Sequence, residues 1–135
     1  MSTDGDNQLI CRAKITAANV DDSQVFGELI TAPTRAVYAD KAYDSKENKA
    51  WLAEHGMANG ILKKGAHHIH LRAEDHQRNA RKSRKRRLIE RVFAHFKQWQ
   101  RYRRVRYLGL VKNQLELTLK AVAYNLRRLV SLATA

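Results

Sequence analysis

The chain has 135 residues, with 26 Lys and Arg against 13 Asp and Glu and a formal charge of +13. That length suits one domain burying about two-thirds of its unfolded surface. No run is long enough to span a bilayer, and the single Cys11 excludes an internal disulfide. Residues 1–60 are close to neutral, so the basic excess falls almost wholly on 61–135. A polyanion is therefore the expected partner. Nucleic acid comes first, because arginine-rich surfaces release condensed counterions on meeting phosphates; an anionic membrane surface comes second, because the basic helix has a stripe suited to a core.

Met1–Gln8 lacks the charged and apolar regions of a secretory signal, and the lone thiol fits a cytoplasmic protein, with Cys11 read as a buried small residue. Thr3–Asn7 has the Asp-Gly chemistry of a tight hairpin turn, leading into a strand over Gln8–Thr16. Asp21 or Asp22 should cap a short helix through Val25, Phe26, Leu29 and Ile30, ended by Pro33. Arg35–Ala39 reads as a short buried strand delivering Asp40 at its carboxyl end, where open α/β sheets collect active-site groups. Ser45 should cap a helix through Ala50, Trp51, Leu52 and His55, stopped at Gly56, and Gly60–Lys63 a second strand. Strand, helix and strand in this order suit a parallel sheet.

From Gly65 to Asn79 the chain is polar and rich in histidine, with His67, His68, His70 and His76. It lacks a cysteine pair or a His-Glu-x-x-His pattern for zinc, and reads as a mobile loop facing nucleic acid. A long basic helix is expected from about Arg78 to Trp99. On it, Ser83, Arg86, Glu90 and Lys97 project within roughly 60° of arc, while Leu88, Ile89, Val92, Phe93 and Phe96 form a core-facing stripe. Next, Gln100–Gly109 interleaves Tyr102 and Tyr107 with Arg101, Arg103, Arg104 and Arg106. That suits phosphate contact and base stacking, or equally a solvated connector anchored by its tyrosines. Leu110–Ala133 repeats Val111, Leu115, Leu119, Val122, Leu126 and Leu129, an amphipathic helix that packs on the domain or on a second copy.

Asp40 and Glu90 are the carboxylates that could share chemistry. Hard cations such as Mg²⁺ take oxygen ligands, and a metal held in a basic surround can act on a phosphodiester.

Three segments in order resemble the DDE transposases of bacterial insertion sequences, of the insertion-sequence four/five type. Val37, Tyr38, Ala39, Asp40, Lys41, Ala42, Tyr43, Asp44 and Ser45 are similar to the strand-end motif Val-x-Ala-Asp-x-x-Tyr-Asp-Ser. Arg86, Glu90 and Lys97 match the signature Tyr-x2-Arg-x3-Glu-x6-Lys, with Ser83 in place of its Tyr. Thr16–Asp22 is similar to the family's segment before a helix. The resemblance implies an α/β, ribonuclease-H-like catalytic core with long C-terminal helices, Mg²⁺ or Mn²⁺ on Asp40 and Glu90, and double-stranded DNA, as transposon ends and target, held by Arg86 and Lys97. Arg87, Arg91, Arg101, Arg103 and Arg104 extend that basic surface. The implied reaction is hydrolysis at the element's ends and strand transfer, in the bacterial cytoplasm at the nucleoid.

The family's first catalytic Asp lies on a strand before the hairpin turn of Asp4, Gly5 and Asp6. The expectation is accordingly an N-terminally truncated single domain: a strand and helix part over 1–64, the His-rich loop over 65–78, and a helical part carrying Glu90 over 79–135. Such a chain would lack activity of its own and pair with itself or an intact transposase. The alternative is a DNA-binding or dimerising protein that interferes with an intact transposase.

Overall fold

The computed structural model describes residues 1–30, 34–65 and 71–134, in two compact units. The first comprises residues 1–20 and 88–135, the second residues 21–87. The expectations for Pro33, His67, His68 and His70 lie outside the described residues.

In the first unit, strands β1 (Ser2–Thr3) and β2 (Ile10–Arg12) pair antiparallel. The Asp4 carboxylate closes the turn between them by accepting the N–H groups of Asp6 and Asn7 at 3.2 and 2.9 Å. β2 is shorter than the expected Gln8–Thr16. Its inward residue is Ile10, and alternation along a strand turns the next one out, so Cys11 is exposed rather than buried. From Ile10 to Ile15 the outer backbone bonds to side chains instead of a neighbouring strand. Asn125 accepts from the Ile10 N–H at 2.8 Å and donates to the Ile10 carbonyl at 2.9 Å. Gln114 does the same for the Ile15 N–H and the Ala13 carbonyl, at 2.8 and 2.9 Å. Both amides belong to helix α4 (Leu110–Ala133). Val92, Phe96, Leu117, Ala121 and Tyr124 close the core over Ile10.

The face of α4 that packs is Asn113, Leu117, Ala121 and Tyr124. Leu115, Leu119, Val122, Leu126 and Leu129 of the expected stripe are instead 49–60% exposed, and Val111 more so. Against the unit, α4 packs Leu117, Ala121 and Tyr124 and adds hydrogen-bonding amides. Asn113, for example, donates to the carbonyls of Tyr107 and Gly109 at 2.6 and 2.7 Å, fixing the connector that enters the helix.

In the second unit, Asp21 accepts from the Ser23 N–H at 2.8 Å, capping a 3₁₀ turn over Asp22–Val25 that runs into helix α1 (Phe26–Leu29). Strands β3 (Ala36–Val37) and β4 (Ala58–Asn59) are parallel. Their ladder continues as the Gly60 and Leu62 N–H groups donate to the carbonyls of Val37 and Ala39 at 2.8 and 3.1 Å. Gly60 lies so close to β3 that a Cβ there would sit 2.5 Å from the Val37 carbonyl oxygen. Between the strands runs helix α2 (Lys46–Glu54), with the Ser45 hydroxyl accepting from the Asn48 N–H at 3.0 Å. Gly56, at φ 65°, closes its C-terminus in the left-handed region that glycine tolerates. Phe26, Leu52 and Ile61 form the core of this unit, with Trp51, Tyr43 and Met57 against them.

Helix α3 (Ala73–Gln98) contributes its first part to the second unit and its last to the first. It begins five residues before the expected Arg78, so its first turn replaces the end of the expected loop. Glu74 and Asp75 complement the helix dipole there. Of its expected core stripe, Val92 and Phe96 are buried and Leu88 and Ile89 half-buried, but Phe93, at the edge of the polar arc, is exposed.

Candidate functional site

Asp40 stands where the β3 backbone leaves its ladder. Its carboxylate caps the 3₁₀ turn Lys41–Tyr43, accepting from the Lys41 N–H at 2.6 Å. The second oxygen takes Arg86 Nη1 at 3.3 Å. The Asp40 side chain is 45% exposed and that of Arg86 24% exposed, so the pair is wet at the carboxylate and sheltered at the guanidinium.

Four residues behind Asp40, Asp44 is almost buried, 7% exposed, and is ion-paired to Lys49. It also accepts from the Lys64 N–H at 2.7 Å. The next side chains fix the loop at its other end: Asn48 donates to the Tyr43 carbonyl at 3.0 Å. The Asp-x-x-x-Asp-Ser run is thus a locally bonded bend, in which Asp40 remains open and Asp44 serves the scaffold.

The first part of α3 reaches this strand end by a polar stripe. Asp75, Asn79, Lys82 and Arg86 recur at spacings of four, three and four, one face of a helix. Asp75 takes the Lys63 ammonium at 2.7 Å. Asn79 accepts from the Lys63 N–H at 2.9 Å and donates to its carbonyl at 3.0 Å. Lys82 donates to the Ile61 carbonyl at 2.9 Å, and Arg86 completes the stripe on Asp40. Hydrogen bonding to Lys63 holds Asp75 below the usual carboxylate range. Partial burial pushes the Lys82 ammonium down, against the pull of Asp44. Sequence reasoning missed this stripe, although the spacing of Asp75, Asn79, Lys82 and Arg86 was there to read; inside a basic run it looks like a solvated face.

The remaining site residues are distributed over both units. Arg87 belongs to the second unit and is exposed. Glu90, Arg91 and Lys97 lie on the last part of α3, in the first unit, all exposed. Asp40 is therefore brought together with Arg86, and Glu90 belongs to the other unit. Among the described residues no group of three or more His, Cys, Asp or Glu is placed to hold a metal ion. The hard, half-open Asp40 carboxylate is nonetheless of the donor class that Mg²⁺ or Mn²⁺ takes.

In the connector, Arg101 adopts φ 50° and turns the chain so that the Tyr102 N–H reaches the Phe96 carbonyl at 2.9 Å. Tyr102 packs edge-on to Phe96, with ring centroids 6.2 Å apart, and Lys120 lies over its face at 5.6 Å. It is a core anchor. Tyr107 is exposed, as are Arg101, Arg103 and Arg104, whereas Arg106 approaches Glu116 at 3.7 Å.

Comparison with known proteins points to one family. The model of the transposase DDE domain matches residues 1–126. A transposase for insertion sequence element IS1106 from Neisseria meningitidis serogroup B is 35% identical over 114 residues, 83% of this chain and 40% of that protein. The chain thus spans less than half the length of this relative, and no solved structure matches it. On a match over nearly its whole length, the chain belongs to the transposase DDE domain family.

Proposed function

We propose that this chain is the part of a ribonuclease-H-like transposase catalytic domain that carries its second and third acidic positions, Asp40 and Glu90. It binds double-stranded DNA through the exposed cations of α3 and the connector. The observation that carries the reading is Asp40, presented at the end of a parallel strand and held by Arg86, one helical turn before Glu90 on α3. Mg²⁺ or Mn²⁺ on Asp40 and Glu90 would supply Lewis-acid stabilisation at a transposon-end phosphodiester. Around them Arg87, Arg91, Lys97, Arg101, Arg103 and Arg104 hold the phosphates, and Arg86 orients the Asp40 carboxylate. DNA of the nucleoid is the substrate class that this charge distribution suits. On this reading the chain by itself binds DNA and does not cut it.

The exposed apolar face of α4 favours a second reading, in which the chain pairs with itself or an intact transposase and lowers transposition. One assay addresses both: nicking of DNA bearing the element's ends, with and without Mg²⁺, for the wild type and Glu90→Ala, alongside binding to the same DNA. The expected result is binding by both and nicking by neither. Mg²⁺-dependent nicking by the wild type that Glu90→Ala abolishes would overturn the inactivity and keep the metal assignment. Equal nicking by both would remove Glu90 from the site, and absence of DNA binding would overturn the reading as a whole.

A further inference from the structure

The two halves of α3 are held in different ways. Beyond Leu88, Val92 and Phe96 anchor the helix in the core of the first unit. Over residues 73–87 it has no such anchor. Its apolar residues there, Ala73 and Ala80, are both exposed, and the one buried residue is Asp75. Among the described residues, the core of Phe26, Leu52 and Ile61 in the second unit draws no side chain from α3. The docking is instead polar: Asp75 and Asn79 hold Lys63, Lys82 holds the Ile61 carbonyl and Arg86 holds Asp40. Each of these bonds replaces a bond to water, so its net contribution is small, and half-open ion pairs add little more.

Charge works against the docked helix. Seven of the ten residues 78–87 are Lys or Arg. Residue 78 lies three or four positions from 81 and 82, 81 from 84 and 85, 82 from 85 and 86, and 84 from 87, which makes seven like-charge pairs that each oppose the helix. Glu74 and Asp75 offset this only at Arg78. Arg81, Arg84, Lys85 and Arg87 are exposed and lie outside the docking bonds, so a polyanion can reach them without displacing one.

From this balance we infer that polyanion binding and the docking of residues 73–87 are one step, with DNA as the polyanion; the inference rests on the DNA-binding reading above. At low ionic strength the cations of the free chain are unscreened, and their repulsion opens the polar stripe from the strand end. Phosphates laid along the exposed cations remove that repulsion, and the helix closes on Lys63 and Asp40. Arg86 therefore reaches the Asp40 carboxylate as DNA arrives, which ties assembly of the candidate site to its substrate. The anchored half beyond Leu88 supplies the helical nucleus, so closure propagates from an existing helix. Part of the binding free energy goes into ordering the segment.

The Lys63 N–H reports docking directly, because its acceptor is the Asn79 side chain at 2.9 Å. The Leu62 N–H, bonded to the Ala39 carbonyl at 3.1 Å, is an internal control that needs only the ladder between the parallel strands. Amide exchange is followed by NMR on the full, isotope-labelled chain in about 20 mM salt. In the free chain the protection factor of Lys63 should fall more than about tenfold below that of Leu62. A duplex of arbitrary sequence should bring the two within about threefold of each other, and so should inorganic polyphosphate, since neutralisation reads no sequence. Arg81→Gln with Lys85→Gln removes four of the seven repulsive pairs and keeps every docking bond, so it should protect Lys63 several-fold with no polyanion present. A helix docked regardless of its charge would not respond. Equal protection of Lys63 and Leu62 in the free chain, no response to the double substitution, or a bound duplex that leaves Lys63 unprotected would each overturn the inference. A chain that polyphosphate closes and duplex DNA does not bind would instead overturn DNA as the polyanion, and the transposase reading with it, while docking governed by charge would stand.

Discussion

His95 shows how a basic chain manages a cation inside its packing. It sits edge-on to Tyr124 with ring centroids 5.0 Å apart, and burial, reinforced by Arg127, pushes its imidazolium form down from the ordinary value of 6.5. The folded first unit therefore holds His95 neutral at pH values where the unfolded chain would protonate it. The stability that this neutrality provides is complete above about pH 6.5 and is lost as pH falls from there towards the depressed folded value. Denaturant unfolding at pH 7.5 and pH 5.5 should show the wild type losing stability on acidification. His95→Phe, which keeps the ring against Tyr124, should lose less. An equal loss would place the titrating group elsewhere.

At the scale of elements, the outermost backbone in the first unit is completed by side chains. Asn125 and Gln114 take the positions a further strand would occupy beside residues 10–15. Asn125→Leu leaves the Ile10 N–H and carbonyl without this partner and should cost about 1–3 kcal/mol in urea unfolding. It should also raise light scattering at intermediate urea, where an open edge can template pairing. Elements defined by punctuation were legible in the sequence: Asp21, Ser45 and Gly56 cap or close the helical segments where they were expected, because each acts through its own local bonds. The orientation of α4 was not. Apolar spacing reports where leucines are, whereas the face that packs in the chain is chosen by Asn113 and Tyr124 and by the small Ala121. The docking stripe of Asp75, Asn79, Lys82 and Arg86 escaped for a related reason, since hydropathy does not distinguish a polar group that bonds to a strand end from one that meets water.

Over the whole molecule, the division into two units and the basic surface are the features that matter. The resemblance implied a DNA contact for Arg86, so its bond to the Asp40 carboxylate was not read from the sequence, and no spacing in the sequence assigns Glu90 and Asp40 to different units. The exposed cations occur in both, with Arg84 and Arg87 in one and Arg91 in the other. Replacing these three by Ala should reduce the slope of log affinity for DNA against log salt by roughly 0.9 for each phosphate that they neutralise. An unchanged slope would show that DNA phosphates are held elsewhere on the chain. The amides that complete the edge of β2 also bear on how the chain is made. Asn125 pairs with Ile10 across 115 residues of sequence. At about 5–20 residues per second on the ribosome, the hairpin waits on the order of 10 s for its last partner. During synthesis its open edge has to be kept from other strands by timing or by a chaperone, so a stalled or prematurely stopped chain is the form most exposed to aggregation.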